Sequence, residues 1–368
     1  MKVVCSKENL LKGLNTVARA VPVRTTLDIL KCILIRSQND KIILTANDTA
    51  LGIETKIDAL VIEEGVIALE ATFFSSLVRN LPDSDITIES GENDSVTLYC
   101  EKLKTAIPGK DADSFITLPD VNTENSVTVS QFTVREMINQ VVFSISDSNL
   151  NAAMGGVYLE VFDNKIRMTT LDGHRISVRV NELNGQYPKM TSIVPGKTMT
   201  DLSKIIAGDQ NKEMTILFSK NHIIFEFENT KMVSRVIEGE YFKIESMLRE
   251  EYETKISINK RQLLECLNRA ALYINESDKK PVIMTITDEE ILIRLKSQAG
   301  LIDERISIEK EGSDIKIAFN PKLLIDALRV IEDETVDIYM VKYNYPCTIK
   351  DSEGKYIYVV LPVNFTEE

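Results

Sequence analysis

With 368 residues, 43% of them hydrophobic and 27% charged, the chain has the composition of an ordinary soluble globular protein with room for two or three domains. No run approaches 18 apolar residues, and Met1 to Glu8 lacks an apolar stretch of signal-peptide length, so a cytoplasmic protein without a membrane partner is expected. The net charge of −13 argues, taken alone, against nucleic acid, because phosphate contacts rest on Lys and Arg releasing counterions. Five cysteines without CxxC spacing and only two histidines, His174 and His222, argue for buried reduced thiols and against disulfides, a metal centre or a cofactor.

The first helix runs from Ser6, a cap residue, to about Ala20, with Leu10, Leu11, Leu14 and Val17 on one face. A second helix is predicted over Thr72 to Leu81, and polar, Pro-containing chain at Pro119 to Asn125 then breaks the pattern. Val127 to Ser130 leads into a helix carrying Val134, Met137, Ile138 and Val141, followed much later by a helix over Lys197 to Ile206. After the acidic run Arg249 to Thr254, Ile256 to Asn259 leads into Leu263, Leu264, Leu267 and Ala270, and Pro321 to Ile331 is again helical. The caps Ser6, Ser130 and Asn259 lie 124 and 129 residues apart, and the pairs Leu77/Leu81, Leu202/Ile206 and Leu324/Leu328 recur at 125 and 122. Alternating strand-like runs fill the spaces, and Asp48 and Asp172 follow their strands 124 residues apart. The economical account is an α+β chain of three repeats of one domain, two helices with antiparallel strands in each, over residues 1–121, 126–247 and 254–368.

The densest polar signature is Thr169 to Ser177. The run Lys165 to Thr170 alternates as a half-buried strand, Asp172-Gly173 supplies a turn with φ > 0, and Arg175 to Val180 returns beside it. Asp172 and His174 invite a hydrolytic reading, but no nucleophile elbow, phosphate loop, second carboxylate or metal context accompanies them, so no catalytic residue is expected. A tight turn or a recognition surface remains. Charge is also unevenly placed: the six helices carry twelve basic residues against five acidic ones, in a chain of opposite net sign. That bias suggests a shared helical surface meeting an anion.

Over its whole length the chain resembles the bacterial DNA polymerase processivity clamps, the β sliding clamp family. The resemblance rests on the threefold repeat, the hairpin Leu171-Asp172-Gly173-His174-Arg175, the segment Asp111 to Phe115 followed by Leu118-Pro119, and the terminal strand Tyr358 to Val363. It implies a head-to-tail homodimer closed into a ring of six domains, helices lining the hole and sheets outside. Such a ring encircles duplex DNA without sequence preference and tethers the replicative polymerase, clamp loader and other clamp-binding-motif proteins, with no catalytic activity and no cofactor. An acidic peptide-binding adaptor that never encircles DNA is the alternative.

The resemblance places a partner-peptide pocket where domains two and three meet, at Met154, Leu171, Gly173, His174, Arg175, Ile176, Phe242, Met247, Pro346, Val360, Leu361 and Pro362. Ring closure is expected between an edge strand near Thr105 and Ile107 and the end of the third domain's first helix, at Leu272 and Tyr273. For DNA, Arg24 and Lys197 are the best supported positions, joined by Arg79 and by the loop residues Asn149, Asn151, Lys279 and Lys280. The chain departs from the common family pattern at Ala71 and Thr72 and over Asn149 to Ala153, where basic residues are usual, and these departures weaken the expected DNA contacts. Asn364 to Glu368 runs slightly past the usual end.

Overall fold

The computed structural model describes residues 1–91, 94–123, 125–146, 151–248, 251–275 and 280–365. The first repeat opens with β1 (Lys2–Ser6), α1 (Lys7–Val17), β2 (Cys32–Gln38), β3 (Lys41–Asn47) and β4 (Leu51–Asp58). It continues through β5 (Leu60–Glu63), β6 (Gly65–Glu70), α2 (Ala71–Asn80), β7 (Asp85–Ser90), β8 (Ser95–Cys100) and β9 (Leu103–Pro108). The second holds β10 (Asn125–Ser130), α3 (Gln131–Val141), β11 (Gly156–Leu171), β12 (Arg175–Pro195) and α4 (Gly196–Ile205). β13 (Glu213–Phe218), β14 (His222–Phe227) and β15 (Thr230–Arg235) complete it. The third begins with β16 (Thr254–Asn259), α5 (Lys260–Ala271), β17 (Val282–Ile286), β18 (Glu290–Ser297), β19 (Gly300–Ser307) and β20 (Glu309–Gly312). It ends with β21 (Ile315–Phe319), α6 (Pro321–Val330), β22 (Thr335–Met340), β23 (Cys347–Lys350) and β24 (Tyr356–Val360).

Helix starts follow local chemistry. Ser6 accepts from the Asn9 N–H and Asn259 from that of Gln262, while Asn320 caps α6 with Pro321 in its first turn. The hydroxyl of Ser130 donates to the Gln210 carbonyl. The apolar face read for the first helix is fully buried at Leu10, Leu14 and Val17, each stabilising by roughly 1.5–3 kcal/mol. Gly13 is where α1 comes closest to its sheet, since a Cβ there would lie 2.7 Å from Leu44 Cδ1. Val134, Met137, Ile138 and Val141 on α3 are equally buried. All five cysteines are buried free thiols. Burial pushes the thiols of Cys5 and Cys266 up to about 12, which keeps them unreactive near neutrality.

The residues gather into two compact units, Met1–Phe132 with Lys204–Val236, and Thr133–Ser203 with Ile237–Glu368. The first contains a five-stranded sheet in the order β5-β1-β7-β8-β9 and an eight-stranded sheet, β10-β13-β14-β15-β4-β3-β2-β6. The second contains a seven-stranded sheet, β11-β12-β24-β23-β22-β16-β20, and a four-stranded sheet, β19-β18-β17-β21.

Neighbouring repeats are sewn together through strands, and the two seams match residue by residue. At the first, β15 pairs with β4 so that Ser234 faces Leu51 and Val233 faces Gly52. At the second, β24 pairs with β12 so that Val360 faces Arg175 and Val359 faces Ile176. The next N–H along donates across each seam, Arg235 to the Ala50 carbonyl and Leu361 to that of His174, both at 2.8 Å. The strands β11 and β12 run well beyond the short hairpin read from the sequence, because register shifts near Val161 and Asp163 let pairing continue past interruptions in the alternation.

Candidate functional site

The hairpin tip is built from one aspartate. Asp172 Oδ1 accepts from the backbone N–H groups of His174 and Arg175 at 2.9 and 3.1 Å, and Gly173 adopts φ +88, the left-handed region that glycine enters at little cost. The second carboxylate oxygen of Asp172 receives Arg175 Nε at 2.9 Å. That guanidinium also donates to Asp326 Oδ2 on α6 and to the Phe143 carbonyl, both at 2.7 Å, and lies 5.3 Å from the Phe143 ring centroid. Burial opposes its charge, but the carboxylates of Asp326 and Asp172 hold it raised above the ordinary arginine range. Asp172 and Arg175 therefore brace the turn against its neighbours, both carboxylate oxygens of Asp172 being engaged by the turn itself.

Beneath the tip lies a small apolar cluster of Leu171, Ile176, Val178, Ile244 and Val359, against which Met154, Tyr241, Phe242 and Leu248 pack half-buried. Of the residues expected in the peptide pocket, the fold thus brings together Met154, Leu171, Ile176 and Phe242. Gly173 and His174 are exposed at the tip, and Leu361, tied by its N–H to His174, leaves 41% of its surface open, with Pro362 half-buried after it. Exposed Pro346 adjoins Cys347, which faces Val360 across β23 and β24, and Met247 hydrogen-bonds through its N–H to the Ile244 carbonyl. Two of the twelve point elsewhere: Val360 is buried in the third repeat's own core, and Arg175 turns to Asp326.

Several cluster members escaped the sequence reading. Tyr241 stacks on Tyr158 with ring centroids 4.7 Å apart, meets Phe242 edge-on, and donates its hydroxyl to the Thr169 carbonyl at 3.3 Å. Burial raises its phenol. The alternation Ile176, Val178, Val180 and the apolar density of Tyr241, Phe242, Ile244, Met247 and Leu248 were the available signals.

Among the basic candidates, Arg24 is exposed between two 3-10 turns, Ala18–Ala20 and Asp28–Lys31, and Arg79 is exposed in the last turn of α2. Lys197 is exposed at the start of α4 with Asp201 at 3.5 Å. Asn151 caps the one-turn 3-10 helix Ala152–Gly155, and Lys280 is exposed ahead of β17. Asn149 and Lys279 lie outside the described residues. Two helical lysines serve the fold instead: Lys7 Nζ donates to the Leu81 carbonyl and Lys260 Nζ to that of Ile331, each binding the first helix of its repeat to the end of the second.

Among the strands that end a sheet, β9 and β19 bear on the expected ring contact. β9 ends its sheet with Ile107 buried and Thr105 half-buried. β19 ends another, and beside it Leu272 is 82% exposed and Leu301 55%. A Cβ on Gly300, the first residue of β19, would lie 3.4 Å from the Tyr273 ring.

Family models describing the DNA polymerase III beta subunit match three consecutive stretches: the N-terminal domain over residues 1–119, the central domain over 128–243 and the C-terminal domain over 245–364. The chain belongs to the DNA polymerase III beta subunit family. The beta sliding clamp of Staphylococcus epidermidis is 27% identical over 376 residues, with 99% of both chains covered. A DNA polymerase III beta subunit crystal structure from Eubacterium rectale has 52% identity and a TM-score of 0.95, over 99% of this chain and 100% of that one. The DNA polymerase sliding clamp of Bacillus subtilis has 27% identity and a TM-score of 0.95, with both chains fully covered. Members of the beta subunit family are non-catalytic, which accords with an Asp172 committed to backbone and Arg175.

Proposed function

We infer that two copies of this beta subunit close head to tail into a ring of six domains, which encircles duplex DNA and tethers the replicative polymerase as a sliding clamp. The observation that carries this reading is the repeated seam. In sheet order, β6-β2-β3-β4 of the first repeat matches β21-β17-β18-β19 of the third, while β9, β15 and β24 each end the other sheet of their repeat. β15 is joined to β4 and β24 to β12; the third partnership, β19 with β9, is unmade within one chain and leaves both edges open. A second copy supplies each missing partner, removing two exposed edges per chain, and a heterologous contact that closes makes a ring. The interface then combines Thr105 and Ile107 with Leu272 and Tyr273.

The repeats act as clamp domains over residues 1–121, 126–247 and 254–368. A closed ring cannot leave DNA sideways, so weak phosphate contacts suffice and permit sliding. Arg24, Arg79, Lys197 and Lys280, with Asn151 and the neighbouring Asn149 and Lys279, are the proposed donors. The groove at the β12–β24 seam takes linear peptides of the polymerase, the clamp loader and other partners, apolar side chains entering the Leu171, Ile176 and Phe242 cluster. The working compartment is the cytoplasm.

The test is retention on DNA. Loaded onto nicked circular DNA the protein should stay bound, and it should be lost once the circle is cut. Its mass in solution should be twice 41.5 kDa. Equal retention on linear and circular molecules would refute encirclement and favour a peptide-binding adaptor.

A further inference from the structure

The β4–β15 seam copies the β12–β24 seam bond for bond, yet different chemistry stands over it. Asp48 Oδ1 accepts from the N–H groups of Ala50 and Leu51 at 3.0 and 2.7 Å, as Asp172 does at the other turn. The apolar pair Ile176 and Val359 is replaced by Gly52 and Val233. Leu118 covers Gly52 so closely that a Cβ there would lie 2.2 Å from its Cδ2, so the chain itself fills the apolar floor. What remains open is a cavity of about 280 Å³, walled by the Asn47–Ala50 turn, by residues 116–119, and by His222 and Arg235.

His222 and Arg235 face each other directly across β14 and β15, so imidazole and guanidinium stand side by side on one face. Asn47 is already engaged: its Nδ2 donates to the Ile116 carbonyl and its Oδ1 accepts from the Thr49 N–H. The one charged side chain among the lining residues is that of Arg235. None of the residues lining the cavity is acidic, the Asp48 carboxylate of the same turn being bonded to the N–H groups of Ala50 and Leu51, in a chain with 56 acidic residues against 43 basic ones.

We propose that this cavity is a second peptide site on the chain, one that takes an extended segment through an acidic side chain received by Arg235 and His222. Its likeness to a peptide groove rests on the reading of the β12–β24 seam given above; its charge does not. An arginine beside a carboxylate makes charge-assisted bonds of fixed direction. Burial, and then the charge of Arg235, hold the His222 imidazole low, so what stands beside the guanidinium near neutrality is an uncharged ring able to add one N–H donor to a carboxylate held by Arg235.

The chain's two histidines sit one at each seam, His174 and His222, so protein labelled with ¹³C at histidine Cε1 gives one reporter per groove. The probe is acetyl-Leu-Asp-Leu-amide, and acetyl-Leu-Asn-Leu-amide is its uncharged counterpart. The Asp peptide should shift the His222 signal saturably and bind about tenfold more tightly than the Asn peptide. Arg235→Gln should abolish the difference while leaving the thermal midpoint unchanged. A His222 signal that stays still at high peptide concentration, or that answers both peptides alike, overturns the proposal. A polymerase-derived peptide read at His174 tests the other seam independently.

Discussion

At Gly173 a single residue decides the shape of the hairpin tip. A Cβ there meets no atom within 4 Å, so the cost of Gly173→Ala comes from φ +88 alone. We expect a loss of about 1 kcal/mol, read as a lower urea midpoint with unchanged slope. The motif around it was legible as a turn, since Asp-Gly between alternating runs has a mechanism; that Arg175 would swing away from the peptide side to Asp326 was not, because Asp326 is 151 residues distant. His222 offers a second check. Its imidazole is held below the ordinary value of about 6.5, first by burial and then by Arg235. The unfolded chain therefore takes up the proton first. The stability that neutral His222 contributes is present above about pH 6.5 and is lost as pH falls through the window toward its lowered folded value. His222→Asn should flatten that part of the stability profile, and a Cε1 titration should place the midpoint below that of a free imidazole.

Helix ends show how an element's charge can mislead. The basic excess on the six helices suggested an anion-facing surface, yet Lys7 and Lys260 cap the last carbonyls of α2 and α6, and Gln131 holds the matching place in the second repeat by bonding Glu213 and Ala207. Arg261 and Arg269 are paired with Glu265 and Glu304. Lys7→Met or Lys260→Met should each cost about 1 kcal/mol and leave the salt dependence of DNA association unchanged. Arg24→Ala with Lys197→Ala should do the reverse, lowering the salt slope by about one unit per phosphate contact while peptide binding stays intact. A wild-type slope in that double variant would mean these two residues do not face DNA. At β24, ending the chain before Leu361 removes the N–H bonded to His174 but leaves the strand's pairing to β12. Peptide binding should disappear and the dimer persist, a combination that calorimetry and light scattering can resolve.

For the molecule as a whole, closure depends on two edges that one chain cannot satisfy. Leu272→Asp should yield monomers of 41.5 kDa in light scattering, because it puts a charge into an apolar surface otherwise desolvated on association. Ile107→Asp is the matching test on β9, although Ile107 is buried within its own sheet and the change also destabilises the fold. A dimer that survives both substitutions would move the interface elsewhere.

Helix positions, the apolar faces of α1 and α3 and the Asp-Gly turn could be read from the chain because each depends on residues a few positions apart, and the threefold period because those local signals recur. Spacing of 3.6 or 2, a capping side chain and a left-handed glycine are local facts. What the tertiary structure alone decided is partnership across long separations. Thr230 lies opposite Thr55 and Val360 opposite Arg175, so the seams join residues 175 and 185 positions apart. The same kind of distance explains why Tyr241 and Ile244 complete the apolar cluster at the hairpin tip, and why the Asn47 turn and Ile116, Thr117 and Pro119 come to stand over His222 and Arg235. Sequence periodicity says which face of a strand is apolar; only the folded sheet says which other strand that face will find.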